Sequence, residues 1–230
     1  GDCGVQSNCV AIQPLETDLG RKREIDQSAC NKDFSCLDGF CPSFVTVNGA
    51  VLRVQEVSLT DLPEVPEPVT RPSFDAPYSI LVNGIGGTGV VTVGALIGMA
   101  AHLEGRAAGL IDMAGLAQKG GSVFSHIKLA RSPAEINAIR VGSGGADLLL
   151  GCDLLISATN ASLSTLNQRS SHAVINSHEQ MPGEFARQRD FHLPLTLMQQ
   201  RIETAVPAGH FACVNATQIA RQLLGDSIGA

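Results

Sequence analysis

Cysteine is the residue type in this sequence whose spacing most clearly indicates chemistry. Five of the seven cysteines of the 230-residue chain fall within its first 41 positions. Three of them lie in the short polar segment SACNKDFSCLDGFCPSF, residues 28–44. Thiols crowded in this way form disulfides or bind metal as thiolates. The candidate metal ligands are Cys3, Cys9, Cys30, Cys36 and Cys41.

The spacing of these cysteines favours iron–sulfur ligation over the alternatives. Disulfides need an oxidising compartment, and nothing in the sequence indicates secretion. Structural zinc usually draws on cysteine pairs separated by roughly two to four residues, which Cys36 and Cys41 fit loosely. The Cys41-Pro42 pair matches the end of bacterial ferredoxin motifs, although the internal spacings here are wider. Zinc and inert thiols stay open as alternatives.

The number of cysteines indicates a piece of a longer polypeptide. Each iron–sulfur cluster takes four thiolates, and two clusters would take more than the five present. The sequence also begins at Gly1 without an initiator methionine. We therefore expect further ligands upstream of Gly1. A lobe of about 50 residues has too small a core to be stable alone, so bound metal would supply its folding energy.

A second candidate functional site is the glycine-rich segment NGIGGTGV, residues 83–90. Gly84, Gly86 and Gly89 form a G-x-G-x-x-G motif between a predicted strand and a predicted helix, as a dinucleotide site requires. Glycines let backbone amides approach a phosphate, and the helix start adds partial positive charge. Asp112, at the end of the next predicted strand, would then hold the ribose of a nicotinamide or flavin cofactor. The alternative is structural, since glycines at such a corner also permit close helix packing.

A polar loop and three single residues are weaker candidates. The loop at residues 118–121 could hold a phosphate or carboxylate, or it could be a solvated turn. His126 lies on a predicted strand and is interpreted as a half-buried structural histidine. Cys152 and Cys213 have apolar neighbours and are predicted to be core residues. No nucleophile elbow or paired-carboxylate signature is present, so no catalytic residue is predicted. The loop consists of Gln118, Lys119, Gly120 and Gly121.

Three zones of different composition must position these motifs. Residues 1–58 are polar and cysteine-rich, and the resulting prediction is a small iron–sulfur segment. Residues 59–77 contain five prolines and should form an extended linker. Residues 78–230 alternate short apolar runs with helical periods, which is typical of an α/β domain.

Within the third zone the apolar pattern predicts individual strands and helices. The predicted strands cover residues 79–83, 107–112, 122–130, 154–158, 173–176 and 211–214. The predicted helices cover residues 88–104, 146–150 and 216–224.

The composition of the chain argues against two classes of binding partner, nucleic acids and membranes. A net charge of −6 argues against a nucleic-acid backbone, and an aromatic content of 4% argues against base-stacking surfaces. The longest apolar run, residues 90–101, is too short to span a membrane. We therefore expect a cytoplasmic protein with no nucleic-acid and no membrane partner.

Taken together, the segments GDCGVQSNC, CNKDFSCLDGFCPSF and GIGGTGVVTVGALIGMAAHLEG resemble the 2-oxoacid:ferredoxin oxidoreductases. The resemblance is narrower to the fused bacterial indolepyruvate ferredoxin oxidoreductase type. It implies a three-layer, Rossmann-like gamma domain of α/β fold preceded by a ferredoxin-like [4Fe-4S] segment. It also implies that residues 78–230 are that gamma domain, in truncated form.

The resemblance further implies an activity and its cofactors. The family oxidatively decarboxylates an aryl 2-oxoacid to an acyl-CoA and passes electrons through [4Fe-4S] clusters to ferredoxin. Thiamine diphosphate and Mg²⁺ would be bound mainly by other domains of the same polypeptide, and coenzyme A would be the co-substrate. The implied partners are ferredoxin, the 2-oxoacid, coenzyme A, those other domains and a second copy in a homo-oligomer.

Carried onto this chain, the resemblance gives roles to the two groups of candidate residues. The five cysteines near the start would be cluster ligands. The glycine turn and the polar loop would face the thiamine and coenzyme A region. The alternative function is an iron–sulfur-linked oxidoreductase that binds NAD(P) or FAD at the turn. The turn residues are Gly84, Gly86, Gly87, Thr88 and Gly89, and the loop residues are Gln118, Lys119, Gly120 and Gly121.

Overall fold

A computed structural model describes residues 11–27, 29–30, 32–41, 45, 47–51, 73–115, 121–182, 185, 188, 190–225 and 227. Cys3 and Cys9, and the loop residues Gln118, Lys119 and Gly120, lie outside the described residues. No helix among the described residues is long and apolar enough to cross a membrane.

The described strands and helices are numbered in chain order. The strands are β1 (Ile12–Leu15), β2 (Lys22–Ile25), β3 (Tyr78–Ile85), β4 (Ala107–Ala114), β5 (Ser122–Ala130), β6 (Leu148–Gly151), β7 (His172–Asn176) and β8 (Phe211–Val214). The helices are α1 (Val90–Leu103), α2 (Leu154–Ser157), α3 (Asn160–Leu163), α4 (Leu195–Glu203) and α5 (Ala216–Leu224).

The chain forms two compact units. The first, called the cysteine unit here, combines Gly1–Val65, Gln180–Leu193 and Asn215–Ala230. The second, called the sheet unit, combines Pro66–Glu179 and Pro194–Val214. The boundaries predicted from composition, 1–58, 59–77 and 78–230, stay a prediction.

The sheet unit is built on a six-stranded sheet in the order β4-β5-β3-β6-β7-β8. Strands β3, β6, β7 and β8 run parallel, and β5 pairs antiparallel with both β3 and β4. The α/β prediction is therefore confirmed, whereas a ferredoxin-like segment is not shown.

Apolar side chains alternate between the two faces of β3, so helices pack on both sides of the sheet. Ile80 and Val82 pack with Val90 of α1 on one face. Leu81 packs on the other face in a cluster that includes Leu149 of β6 and Ile202 of α4. This arrangement places the start of α1 directly after the central strand.

Two predicted elements are wrong. Residues 146–150 were predicted to be helical, but Leu148–Gly151 is strand β6, which is paired on both sides with parallel neighbours. Residues 154–158 were predicted to be a strand, but Leu154–Ser157 is helix α2. A strand buried on both faces has no alternating pattern, so its apolar run does not distinguish it from a helix. Helix α4 and the hairpin of β1 and β2 were not predicted.

Close packing of α1 on the sheet depends on Gly94, which gives a testable prediction. A Cβ atom at this position would overlap Oγ of Ser125 and lie 3.2 Å from its Cβ atom, and Ser125 is a fully buried residue on β5. We expect Gly94→Ala to lower the free energy of unfolding by about 1–3 kcal/mol, because overpacking displaces the helix. Urea denaturation measures the change.

Two variants control this experiment. The Ser125 hydroxyl has no hydrogen-bond partner within the described part of the chain, so Ser125→Ala should be neutral or stabilising and should recover part of the loss in the double variant. Thr92→Ala, at an exposed position of the same helix, should leave stability nearly unchanged. Equal stability of Gly94→Ala and the wild type would contradict the packing argument.

Candidate functional site

The glycine turn lies at the carboxyl ends of the parallel strands, where the direction of strand progression reverses. From β3 the chain passes through α1 to β4 on one side, returns along β5, and continues to β6 on the other side of β3. Open α/β sheets bind their ligands in the crevice at such a switch point. The fold therefore places residues 86–89 at the position where a ligand is expected.

The conformation of the turn requires glycine at two positions. Gly87 has φ of 101° and Gly89 has φ of 83°, and both are exposed. Residues with a Cβ atom rarely adopt these angles. Gly89 is also the residue immediately before α1. The backbone amides of this turn can therefore approach an anion closely.

The turn has a donor-rich surface. Among the described residues, the amides of Gly87 and Gly89 donate no backbone hydrogen bond, and the first turn of α1 contains no acidic residue. The first amides of any helix also lack intrahelical acceptors. Together with the partial positive charge at the helix start, these amides suit a phosphate or another anion.

Gly121, the last residue of the polar loop, lies beside the same turn. The amide of Gly86 donates to the carbonyl of Gly121 at 2.7 Å, and the amide of Gly115 donates to the carbonyl of Ser122 at 3.0 Å. The antiparallel pairing of β3 with β5 thus brings together Gly121 and the glycine turn, which the sequence separates.

Close packing around Gly84 leaves no room for a side chain. A Cβ atom there would lie 2.5 Å from Thr88 Oγ1 and 2.9 Å from Cys152 Cβ. Thr88 Oγ1 donates to the carbonyl of Ile85 at 2.7 Å, which fixes the turn from inside. The structural interpretation of the motif is therefore supported at Gly84, and anion binding at Gly87 and Gly89 stays a prediction.

The side chain of Asp153 holds the backbone just before the turn by hydrogen bonds. One carboxylate oxygen accepts from the amide of Ile85 at 2.6 Å, and the other accepts from the amide of Ile156 at 2.8 Å as the N-cap of α2. The residue is 1% exposed. Burial raises the pKa of this carboxyl group, and hydrogen bonds from the amides of Ile156, Ile85 and Leu155 oppose that effect.

A buried polar network continues from Asp153. Asn83 is fully buried at the end of β3, donates from Nδ2 to Ser162 Oγ at 2.7 Å and accepts at Oδ1 from Ser157 Oγ at 2.8 Å. Ser157 Oγ also lies 2.6 Å from the carbonyl of Asp153. Satisfied networks of this kind hold their backbone segments in one arrangement.

The two core cysteine predictions have different outcomes. Cys152 is half-buried beside the turn, and burial, then Asp153, raises the pKa of its thiol to about 11. A thiol with this pKa is protonated near neutral pH and is a poor nucleophile. The prediction for Cys213 is wrong, because this residue is exposed on β8, the last strand of the sheet.

Asp112 is poorly placed to hold a ribose bound at the turn. It lies on β4, and β5 separates β4 from β3. In dinucleotide-binding folds the corresponding strand is adjacent to the one that leads into the glycine turn. Two strand spacings amount to about 9–10 Å. The topology therefore disfavours the NAD(P) or FAD alternative.

Cys30, Cys36 and Cys41 lie in the cysteine unit, and each of the three residues is half-buried. The amide of Lys32 donates to Cys30 Sγ at 3.3 Å. Cys36 packs against a small core that includes Phe185. The donor chemistry suits iron, but the described residues bring no three potential metal ligands together. Cluster ligation therefore stays a prediction.

Other chain segments complete the cysteine unit. Ile12 of β1 is buried with Met181 and Phe185. Arg21 donates to the carbonyl of Phe191 at 2.9 Å. Segments distant in sequence therefore support the unit that carries the cysteines.

Known proteins match this chain over parts of its length. The family model for pyruvate ferredoxin/flavodoxin oxidoreductase matches residues 79–229. The indolepyruvate oxidoreductase subunit IorB of Methanothermobacter thermautotrophicus is 33% identical over 78 residues, which cover 34% of this chain and 38% of that protein. The IorB subunit of Archaeoglobus fulgidus is 32% identical over 75 residues, covering 33% and 35%. The match thus spans little more than a third of these curated relatives.

Among solved structures, the pyruvate oxidoreductase subunit PORC of Thermotoga maritima is similar with a TM-score of 0.45 and 17% identity, over 67% of this chain and 70% of that one. The 2-oxoglutarate:ferredoxin oxidoreductase of Magnetococcus marinus has a TM-score of 0.45 and 15% identity, over 64% and 21%. The family model covers more than half of the 230 residues. The chain therefore belongs to the pyruvate ferredoxin/flavodoxin oxidoreductase family.

Proposed function

We propose that this chain is part of a thiamine-diphosphate-dependent 2-oxoacid:ferredoxin oxidoreductase of the indolepyruvate type. The complete enzyme would oxidatively decarboxylate an aryl 2-oxoacid to an acyl-CoA and pass the electrons to ferredoxin. Family membership supports the reaction class. The names of the two curated relatives, both indolepyruvate oxidoreductase subunits, support the aryl substrate.

Within that enzyme the glycine turn would bind a phosphate group of coenzyme A. The observation that carries this proposal is the exposed pair Gly87 and Gly89, with positive φ, at the switch point of the sheet. Asp153 and Thr88 hold the backbone of the turn through Ile85. The bound phosphate would meet amide donors that are already oriented, so little conformational entropy would be lost on binding.

The cysteines would carry the electrons in this proposal. Cys30, Cys36 and Cys41 would ligate [4Fe-4S] clusters together with Cys3, Cys9 and ligands of the parent polypeptide. Such clusters supply one-electron redox chemistry. Thiamine diphosphate and Mg²⁺ would be bound mainly by other domains. The division would leave this chain with co-substrate binding and electron transfer.

Titration of the full chain with coenzyme A tests the role of the turn. Gly89→Ala should weaken binding about tenfold, because an alanine at positive φ costs roughly 1–2 kcal/mol and distorts the amide donors. Within the described part of the chain, no atom beyond the two neighbouring residues lies within 4 Å of the added Cβ atom, so steric overlap is not expected. Isothermal titration calorimetry measures the affinity.

Gly105→Ala is a matched control for this experiment. Gly105 also has positive φ and open space around its Cβ position, but it follows the other end of α1. It should lose similar stability and keep full affinity. Pantetheine, which has no phosphate, should not bind. Equal affinity of Gly89→Ala and Gly105→Ala, or tight binding of pantetheine, would contradict the proposed role.

The same titration discriminates the alternative function. Saturable binding of NADH or FAD that Asp112→Ala weakens would favour a nicotinamide- or flavin-binding oxidoreductase. We expect neither cofactor to bind saturably, since Asp112 lies two strands from the turn.

A further inference from the structure

A cavity of about 510 Å³ lies on the α4 side of the sheet and shares no lining residue with the glycine turn. Its floor is formed by side chains of the central strands, including Leu81 of β3 and Phe124 and His126 of β5. The segment at residues 140–143 and the end of α3 form its walls. The family comparison and the proposed function assign it no role.

His126 lines this cavity as a hydrogen-bond donor. Only 5% of the residue is exposed, and its Nδ1 accepts from the amide of Val141 at 3.2 Å. Burial, followed by the positive charge of Arg140, lowers its pKa, so the ring is neutral near pH 7. With Nδ1 acting as an acceptor, the ring proton must be on Nε2. The Nε2–H group of this ring can therefore donate to a ligand that supplies an acceptor.

The charged and polar groups around the cavity favour an anion. Among the described residues that line the cavity, Arg140 carries a full positive charge, and none is an aspartate or a glutamate. Ser143, on the same segment, adds a hydroxyl group. A guanidinium group beside an N–H donor is the arrangement that carboxylates prefer, because both oxygens can be satisfied.

The remaining walls favour an apolar body on the ligand. Phe124 is half-buried, and Met113 of β4 is 39% exposed beside it. Leu81 closes the floor. A thioether and a phenyl ring at one cavity wall form favourable contacts with a flat aromatic group.

We propose that this cavity binds a small aryl carboxylate, with its carboxylate at Arg140 and His126 and its ring against Phe124 and Met113. The site is separate from the glycine turn, and the proposal does not depend on the function proposed above. Most of the ligand's apolar surface would be removed from water, as in other small-molecule sites.

Titration of the full chain with phenylacetate tests this proposal. We expect saturable binding of one molecule per chain, with Kd on the order of 1 mM or lower for a ligand of this size. Arg140→Gln should weaken binding about tenfold, because it removes the charge from an exposed side chain without disturbing the core. His126→Asn should also weaken binding, since it can keep an acceptor for Val141 but loses the Nε2 donor.

Arg131→Gln is the control, because it removes another exposed positive charge, at a residue that does not line the cavity. It should leave affinity unchanged. The neutral analogue 2-phenylethanol should bind at least about tenfold more weakly, and inorganic phosphate should not displace phenylacetate. The proposal is overturned by unchanged affinity in Arg140→Gln, by equal binding of 2-phenylethanol, by displacement with phosphate, or by the absence of saturable binding. Gly89→Ala should not affect this titration, so the proposal for this cavity and the proposal for the glycine turn are tested independently.

Discussion

Replacing Asp153 with alanine is expected to lower the free energy of unfolding of the sheet unit by about 3–5 kcal/mol. The change leaves the buried amides of Ile85 and Ile156 without their acceptor, and each unsatisfied amide costs roughly 1–3 kcal/mol. The bond from Ile156 is also the N-cap of α2, so its cost already includes the roughly 1 kcal/mol that is typical for loss of a cap. Urea denaturation followed by circular dichroism measures the effect.

Asp147→Ala is the matched control for Asp153→Ala. Asp147 accepts from the amide of Ser79 at 2.7 Å, at the other end of β3. Loss of this single, partly buried bond should cost only about 1–2 kcal/mol and should leave coenzyme A binding intact. Asp153→Ala should weaken that binding, because Ile85 leads directly into the glycine turn. If the two variants were equally stable, Asp153 would not be the anchor of the turn.

Loss of bound iron is the second large effect that we expect. Cys36→Ser and Cys41→Ser should each remove at least about half of the iron from anaerobically reconstituted chain, because a cluster held by four thiolates loses one of them. The cysteine unit should also become less stable, since ligation contributes folding free energy. Iron and acid-labile sulfide analysis, with visible absorption, measures the loss.

Cys213→Ser provides the control for the iron experiment. Cys213 lies on β8 in the sheet unit, far along the chain from the cysteine-rich segment, and should not affect the iron content. Full iron content in both the Cys36 and Cys41 variants would show that these residues are not ligands. Zinc without sulfide would instead support the structural zinc alternative.

Local patterns were sufficient to predict elements with clear periodicity or clear ends. Strand β5 at Ser122–Ala130 and helix α5 at Ala216–Leu224 have the predicted bounds. For the two Leu-rich runs on either side of Cys152, the predictions of helix and strand are the wrong way round. Buried strands and short buried helices have the same apolar composition, so the pattern does not distinguish them. Asp153 could have indicated the start of helix α2, since an aspartate before an apolar run is typical of a helix N-cap.

The glycine turn could be located from sequence, but its surroundings could not. The bond from Ile85 to Asp153 joins residues 68 positions apart, and the bond from Asn83 to Ser162 joins residues 79 positions apart. The spacing of residues within a motif does not indicate which distant residues will form hydrogen bonds with it. The insertion of β5 between β3 and β4, which disfavours Asp112 as a ribose ligand, is likewise a property of the topology.

The packing of the cysteine unit could not be predicted from local sequence patterns either. The cysteine spacing predicted metal ligands within residues 1–58 but could not indicate that Met181 and Phe185 bury Ile12. The ion pair between Asp26 and Arg221 joins residues 195 positions apart. The stability of this unit therefore depends on residues that no local pattern connects to it.

Nuclear magnetic resonance of the full chain labelled with ¹⁵N-glycine tests the central claim most directly, because each glycine amide of the turn reports separately. On addition of coenzyme A, we expect saturable shifts of the Gly87 and Gly89 amide signals, with little change at Gly105. Unshifted Gly87 and Gly89 signals at saturating coenzyme A, or shifts confined to glycines outside residues 84–89, would contradict the claim that this turn binds the co-substrate.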